Sequence, residues 1–134
     1  MRLAMALALT AAGGIAGSGG VASADDATHH VKYTVTATRS TSADIYYRDT
    51  DPANFAEYSH NPYLFSPKTE AEIGPNQPWV LDVTLTDPKN WAMVVATSGW
   101  SSSTPGLQCQ LEVDGVVLAT NQGPKGALCS IRSW

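Results

Sequence analysis

Leu107-Gln108-Cys109-Gln110-Leu111-Glu112-Val113-Asp114-Gly115-Val116-Val117-Leu118-Ala119-Thr120 carries the plainest structural signal in the chain. Leu107, Cys109, Leu111 and Val113 alternate with Gln108, Gln110 and Glu112, the two-residue period of a strand with one buried face. Asp114-Gly115 then supplies two residues that tolerate the positive φ of a type I′ turn. Residues 116–120 run back as the second arm of a β-hairpin, and residues 121–126 read as a further turn.

The same period extends outward from the hairpin. Downstream, Ala127, Cys129 and Ile131 alternate with Ser130 and Arg132 in a final strand that closes the chain at Trp134. Upstream, residues 91–97 are nearly all apolar, as expected of a central strand, and residues 98–106 form a Ser/Gly-rich loop. Trp79, Leu81, Val83 and Leu85 share one parity in a strand that ends at Asp87-Pro88-Lys89-Asn90. Val31, Tyr33, Val35 and Ala37 alternate with Lys32, Thr34, Thr36 and Thr38, and Ala43, Ile45 and Tyr47 follow a Ser40-Thr41-Ser42 turn. A hairpin is the simplest way to connect these two strands. Seven short strands without a long helix predict an all-β fold, an Ig-like antiparallel β-sandwich, with a closed barrel as the alternative.

Residues 49–78 interrupt the pattern. They hold Pro52, Pro62, Pro67, Pro75 and Pro78 of the chain's eight prolines, together with Phe55, Tyr58, Tyr63 and Phe65. Asp51-Pro52 reads as a helix start, an N-cap with proline at the first helical position, and Pro62 as its stop. The four rings argue for a structured excursion that packs over one face or edge of the sheet. With Tyr46, whose parity opposes Ile45 and Tyr47, the rings Phe55, Tyr58, Tyr63 and Phe65 form a candidate binding surface for an apolar ligand or a protein. The competing reading is a small core beneath the excursion.

The N-terminus has the form of an export signal over residues 1–24. Arg2 gives a positive start, residues 3–12 are apolar, and Ala22-Ser23-Ala24 places small residues for cleavage before Asp25. Glycines from Gly13 to Gly20 break the apolar run well short of the roughly 20 residues a membrane span needs, so no stable membrane anchor is expected. Residues 25–134 are then one small domain, secreted or held in the cell envelope. Removing Arg2 from the eight basic residues leaves seven against twelve acidic ones, a formal charge of −5 that disfavours nucleic acid as a partner. Cys109 and Cys129 are the only cysteines, and oxidising conditions outside the cytosol favour a bridge between them.

No residue set announces a reaction. His29-His30 lies beside Asp25 and Asp26 in what reads as a loose leader, and adjacent side chains entering a strand point to opposite faces, so no metal site and no cofactor is expected. His60 has Asp51 and Glu57 nearby in sequence, but no G-x-S-x-G elbow accompanies it. Glu70 with Glu72, and Glu112 with Asp114, share parity as solvated acid pairs do on strand faces. Hydrolase or metal-dependent chemistry ranks below a binding role, and no catalytic residue is assigned.

Val31-Lys32-Tyr33-Thr34-Val35-Thr36, Ala43-Asp44-Ile45-Tyr46-Tyr47-Arg48-Asp49, Pro78-Trp79 and the Cys109 hairpin with Cys129 downstream together resemble the extracytoplasmic domain of MmpS proteins. The resemblance touches both ends of the mature chain. It implies a mycobacterial, disulfide-bearing Ig-like sandwich that assists a transporter in exporting siderophores or cell-wall lipids, without catalysis of its own. MmpS members keep an N-terminal transmembrane helix and a shorter connection where residues 49–78 lie here. This chain therefore reads as a secreted form, either an accessory to an envelope transporter or a freestanding interaction domain.

Overall fold

The computed structural model describes residues 27–99 and 104–132. The expected export signal at residues 1–24, its expected cleavage point and Trp100 lie outside the described residues. Two four-stranded antiparallel sheets face each other, in the order β4-β1-β6-β7 and β3-β2-β5-β8. The strands are β1 (His29–Ala37), β2 (Thr41–Tyr47), β3 (Lys68–Ile73), β4 (Trp79–Leu85), β5 (Met93–Thr97), β6 (Leu107–Val113), β7 (Val116–Gly123) and β8 (Gly126–Ser130). Two short helices, α1 (Phe55–His60) and α2 (Pro88–Trp91), complete the regular elements. No helix among the described residues is long and apolar enough to cross a membrane.

The alternating residues meet as a single core. Val31, Tyr33 and Val35 of β1 and Leu107 and Leu111 of β6 are fully buried, opposite Ile45 of β2 and Val94 and Ala96 of β5. The hairpin at Asp114-Gly115 has φ of 51° and 84°, the two left-handed residues of a type I′ turn.

Four local expectations are corrected. First, β1 and β2 do not form a hairpin: β1 is flanked by β4 and β6, and β2 by β3 and β5, so the two strands lie in different sheets. The link between them is held instead by Pro105, whose carbonyl accepts from the amides of Thr38 and Arg39 and from Thr38 Oγ1. Gly106 permits that crossing, with φ of 73° and no room for a Cβ against Thr38 Oγ1. Alternation shows which face is buried, not whether the neighbour pairs beside it or packs across from it.

Second, an eighth strand lies inside the excursion, where β3 pairs with β2 from Thr41↔Ile73 to Tyr46↔Lys68. Its inward residues include Thr69 and Ala71, too small and polar to stand out. Third, β7 continues through Gly123 and does not turn at Asn121, because Asn121, Gln122 and Gly123 still pair with β6. Fourth, β5 begins at Met93, since Trp91 closes the single turn of α2.

The Cys109–Cys129 disulfide joins β6 to β8, one strand from each sheet. Inside the core, the Tyr33 hydroxyl donates to the Arg48 carbonyl at 2.7 Å and accepts from the Met93 amide at 3.3 Å. Burial raises the Tyr33 pKa further above its ordinary value, keeping the phenol protonated.

Cys129→Ser is expected to remove about 3 kcal/mol in the chain-entropy account of a loop this size. A small domain then melts on the order of 10–20 °C lower. A melting temperature equal to wild type, with reductant present or absent, contradicts a structural bridge. Tyr33→Phe deletes the hydroxyl from two buried backbone groups and is expected to cost about 1–3 kcal/mol in a chemical unfolding titration. A loss within error of zero would show that those groups find other partners.

Candidate functional site

The excursion is built from its first polar residues upward. Asp51 does not cap a helix: its carboxylate accepts the Thr86 amide at 2.8 Å and the Asp87 amide at 2.9 Å, tying the start of the excursion to the end of β4. The N-cap of α1 is Asn54, whose side-chain oxygen accepts from the Glu57 amide at 2.8 Å. Pro52, placed in the sequence reading at the first helical position, is buried before the helix begins. Asn61 ends α1, with its amide on the Glu57 and Tyr58 carbonyls, immediately before Pro62.

Beneath α1 lies a fully buried arginine. Arg48 follows β2 on the outward side of the second sheet, a parity that reads as solvent-facing, yet its exposure is 0%. Its guanidinium carbon stands 4.6 Å from the Tyr58 ring centre and 5.6 Å from that of Trp91, and Nη2 donates to Met93 Sδ at 3.4 Å. Arg132, beyond β8, lies 5.1 Å from the Phe55 ring centre and 5.9 Å from that of Trp91. Tyr58 and Trp91 meet at 5.6 Å between centroids, and Phe55 and Tyr58 at 6.0 Å. Cation–π contacts of this kind contribute about 2 kcal/mol when desolvated, enough to hold a short helix that has no buried residue of its own.

The five aromatic candidates therefore separate. Phe65 is 7% exposed and belongs to the interior, so it lines no surface. Tyr58 is half-buried in the arginine cluster. Tyr46 is half-buried on the outer face of the second sheet, in register with Lys68 on one side and Val95 on the other. Phe55 at 52% and Tyr63 at 86% exposure face solvent, joined by Leu64 at 72%. The sequence reading missed Leu64, having searched for rings, and Arg48, whose burial depends on a cover supplied from elsewhere in the chain.

The remaining candidates sit apart from this cluster. His29 and His30 are not a loose leader but the first residues of β1. His29 Nδ1 lies 2.6 Å from Asp114 Oδ2, the His30 amide donates to Asp114 Oδ1 at 3.0 Å, and His30 Nε2 lies 2.7 Å from Asp82 Oδ1. The described residues contain no group of three side chains suited to a metal ion. His60 Nδ1 donates to the Ala56 carbonyl and Ser59 Oγ to the Phe55 carbonyl, both within their own helix. Glu70 and Glu72 are exposed on β3, and Glu112 accepts from Gln110.

Asp114 carries a lowered carboxyl pKa, caused first by the His29 hydrogen bond and then by the His30 amide. Its contribution to stability is complete above the pKa of an unfolded aspartate and is lost as pH falls through the lower folded value. An NMR titration should place the Asp114 midpoint below its ordinary value and return it upward in His29→Ala. An identical midpoint in both proteins would remove His29 as the cause.

The Rv2576c β-sandwich domain matches residues 33–129 of this chain. Uncharacterized protein Rv2576c of Mycobacterium tuberculosis is 36% identical over 132 residues, covering 96% of this chain and 85% of its own length. Uncharacterized protein Mb2606c of Mycobacterium bovis is similar to the same extent, 36% over 132 residues. The match runs from Tyr33, whose hydroxyl spans the sheets, to Cys129, which closes the bridge, and the chain belongs to the Rv2576c β-sandwich domain family.

Proposed function

We propose that this protein is an exported, non-enzymatic binding module of the cell envelope that presents the outer side of its excursion to a protein partner. The observation that carries this reading is the exposure of Phe55, Tyr63 and Leu64 on a segment anchored by Asp51 and by the Arg48 cluster. Large side chains of this kind are common anchors of protein interfaces, and a pre-ordered segment reduces the entropy lost on binding. The resemblance to MmpS proteins supports an envelope transporter as that partner, with export of a siderophore or lipid as the process assisted. A freestanding secreted interaction domain is the second reading. It is favoured by Ala22-Ser23-Ala24, where cleavage removes the apolar segment that MmpS proteins keep.

A photo-crosslinking residue at position 63 of the full chain, expressed in a mycobacterial host, is expected to form an adduct with an export transporter. The same probe at Glu70 on exposed β3 should not. Deleting the gene should lower export of a siderophore or lipid. Unchanged export together with equal labelling from positions 63 and 70 would exclude the accessory role.

A further inference from the structure

The first sheet turns a different surface to solvent. On its outer side the register places Thr36, Gln108 and Gln122 in one row across β1, β6 and β7, and Thr34, Gln110 and Thr120 in the next. These six side chains line most of a groove of about 520 Å³, within the range of small-ligand sites. Among the described residues that line it none is charged, and none carries an aromatic or branched aliphatic side chain beyond the threonine methyls. Charged residues on this face stand in the neighbouring row, where the register sets Asp82, Lys32 and Glu112 side by side.

The groove is partly ordered by its own hydrogen bonds. Thr36 Oγ1 donates to Gln108 Oε1 at 3.3 Å, and Gln108 Nε2 donates to Gln122 Oε1 at 3.2 Å, linking the three strands. Each carboxamide has two N–H donors and an oxygen with two lone pairs, and each hydroxyl both donates and accepts, so these bonds leave capacity of both kinds. A second hollow of about 330 Å³ shares Gln108 and Gln122 with the first and continues past Leu107 to Gly123 and Pro124. The two hollows adjoin at Gln108 and Gln122.

This chemistry narrows the ligand. An anion would need a cationic side chain, a cation a carboxylate and an acyl chain an apolar wall; none of these is among the described residues lining the larger groove, and the charged positions Lys32 and Glu112, the latter accepting from Gln110, lie one row beyond it. What fits is an uncharged chain whose groups both donate and accept hydrogen bonds. We propose that the outer face of the β4-β1-β6-β7 sheet binds a neutral oligosaccharide, laid across Gln108 and Gln122. The surface is separate from the excursion, so this proposal and the protein-partner reading stand or fall independently.

The exported full chain should be titrated with neutral linear oligosaccharides of pentoses and hexoses, their uronic-acid counterparts, and neutral phospholipid vesicles, followed by calorimetry and by the side-chain amide NMR signals of Gln108, Gln110 and Gln122. Neutral sugars are expected to shift those signals, with at least tenfold weaker binding of the acidic counterparts and none of the vesicles. Co-sedimentation with insoluble wall polysaccharide identifies a structural glycan as the source; binding of soluble sugars alone identifies a free one. Gln108→Ala and Gln122→Ala, at exposed positions, should each weaken binding at least tenfold at unchanged melting temperature, and Thr36→Ala gives a third variant should either fail to fold. A triple Ser variant of Phe55, Tyr63 and Leu64 should bind sugar as wild type does. Failure of every neutral sugar to bind at millimolar concentration, or equal binding by the glutamine variants, overturns the proposal.

Discussion

A phenol buried between the sheets fixes the end of the molecule from which the excursion departs. Tyr33 lies in the middle of β1, and its hydroxyl reaches across the core to the carbonyl of Arg48 and the amide of Met93. Those two residues also bond directly, the Arg48 amide donating to the Met93 carbonyl. One oxygen thus ties β1 of the first sheet to the paired ends of β2 and β5 in the second. A buried hydroxyl without partners is costly, and here the geometry gives it both a donor and an acceptor role. Because burial favours the protonated phenol, the hydroxyl keeps its proton for this bond above the ordinary tyrosine range.

The position of the Arg48 backbone has a further effect. Its side chain leaves the second sheet on the outer side, where an uncovered guanidinium would be hydrated and the sheet end open. Tyr58, Trp91 and Met93 close over it, and Arg132 stacks on the same group from the C-terminal side. The excursion is therefore a cover before it is a display surface. Its length is tolerable because loop-closure entropy grows only with the logarithm of loop size. Its outer residues Phe55, Tyr63 and Leu64 stay exposed while Tyr58 is half-buried against Arg48. Helix α1 has too few turns to stabilise itself, so its order depends on this contact and on the Asn54 cap.

The parts of the fold legible in the sequence were those in which one residue type repeats at the strand period. β1, β4 and β6 alternate large apolar with polar residues, and Asp114-Gly115 can form few other turns, so these elements, their inward faces and the bridge were readable. β3 was not, because its inward Thr69 and Ala71 are small and its outward face is charged. The extension of β7 through Asn121 and Gln122 is polar on both sides, as an edge strand can be, and resembles a turn. A bulge between Leu111 and Glu112 further obscures β7 by shifting its parity at Leu118. The candidate surface was half-legible: ring content marked the segment, but the inward turn of Tyr58 follows from Arg48, and Arg48 owes its burial to residues distant in sequence. The polar groove had no sequence signal, since glutamine and threonine on a strand's outer side are ordinary until register sets them in rows.

The bridge and the groove are mechanically related through β6. Cys109 points inward to Cys129 while its neighbours Gln108 and Gln110 point outward, so the bond that draws β6 toward β8 also sets the floor on which the glutamines stand. β7, an edge strand with Val116, Val117 and Leu118 exposed, pairs with β6 and is tied toward β8 by Asn121, whose side-chain amide donates to the Leu128 carbonyl. Leu128 adjoins Cys129, so that tether is also fixed by the bridge. Ligands held by many neutral hydrogen bonds gain little from each one, and their affinity depends on donors and acceptors being in place beforehand. In this architecture that placement comes from covalent closure behind the sheet. An oxidising compartment would therefore preserve the shape of the groove as well as the stability of the domain.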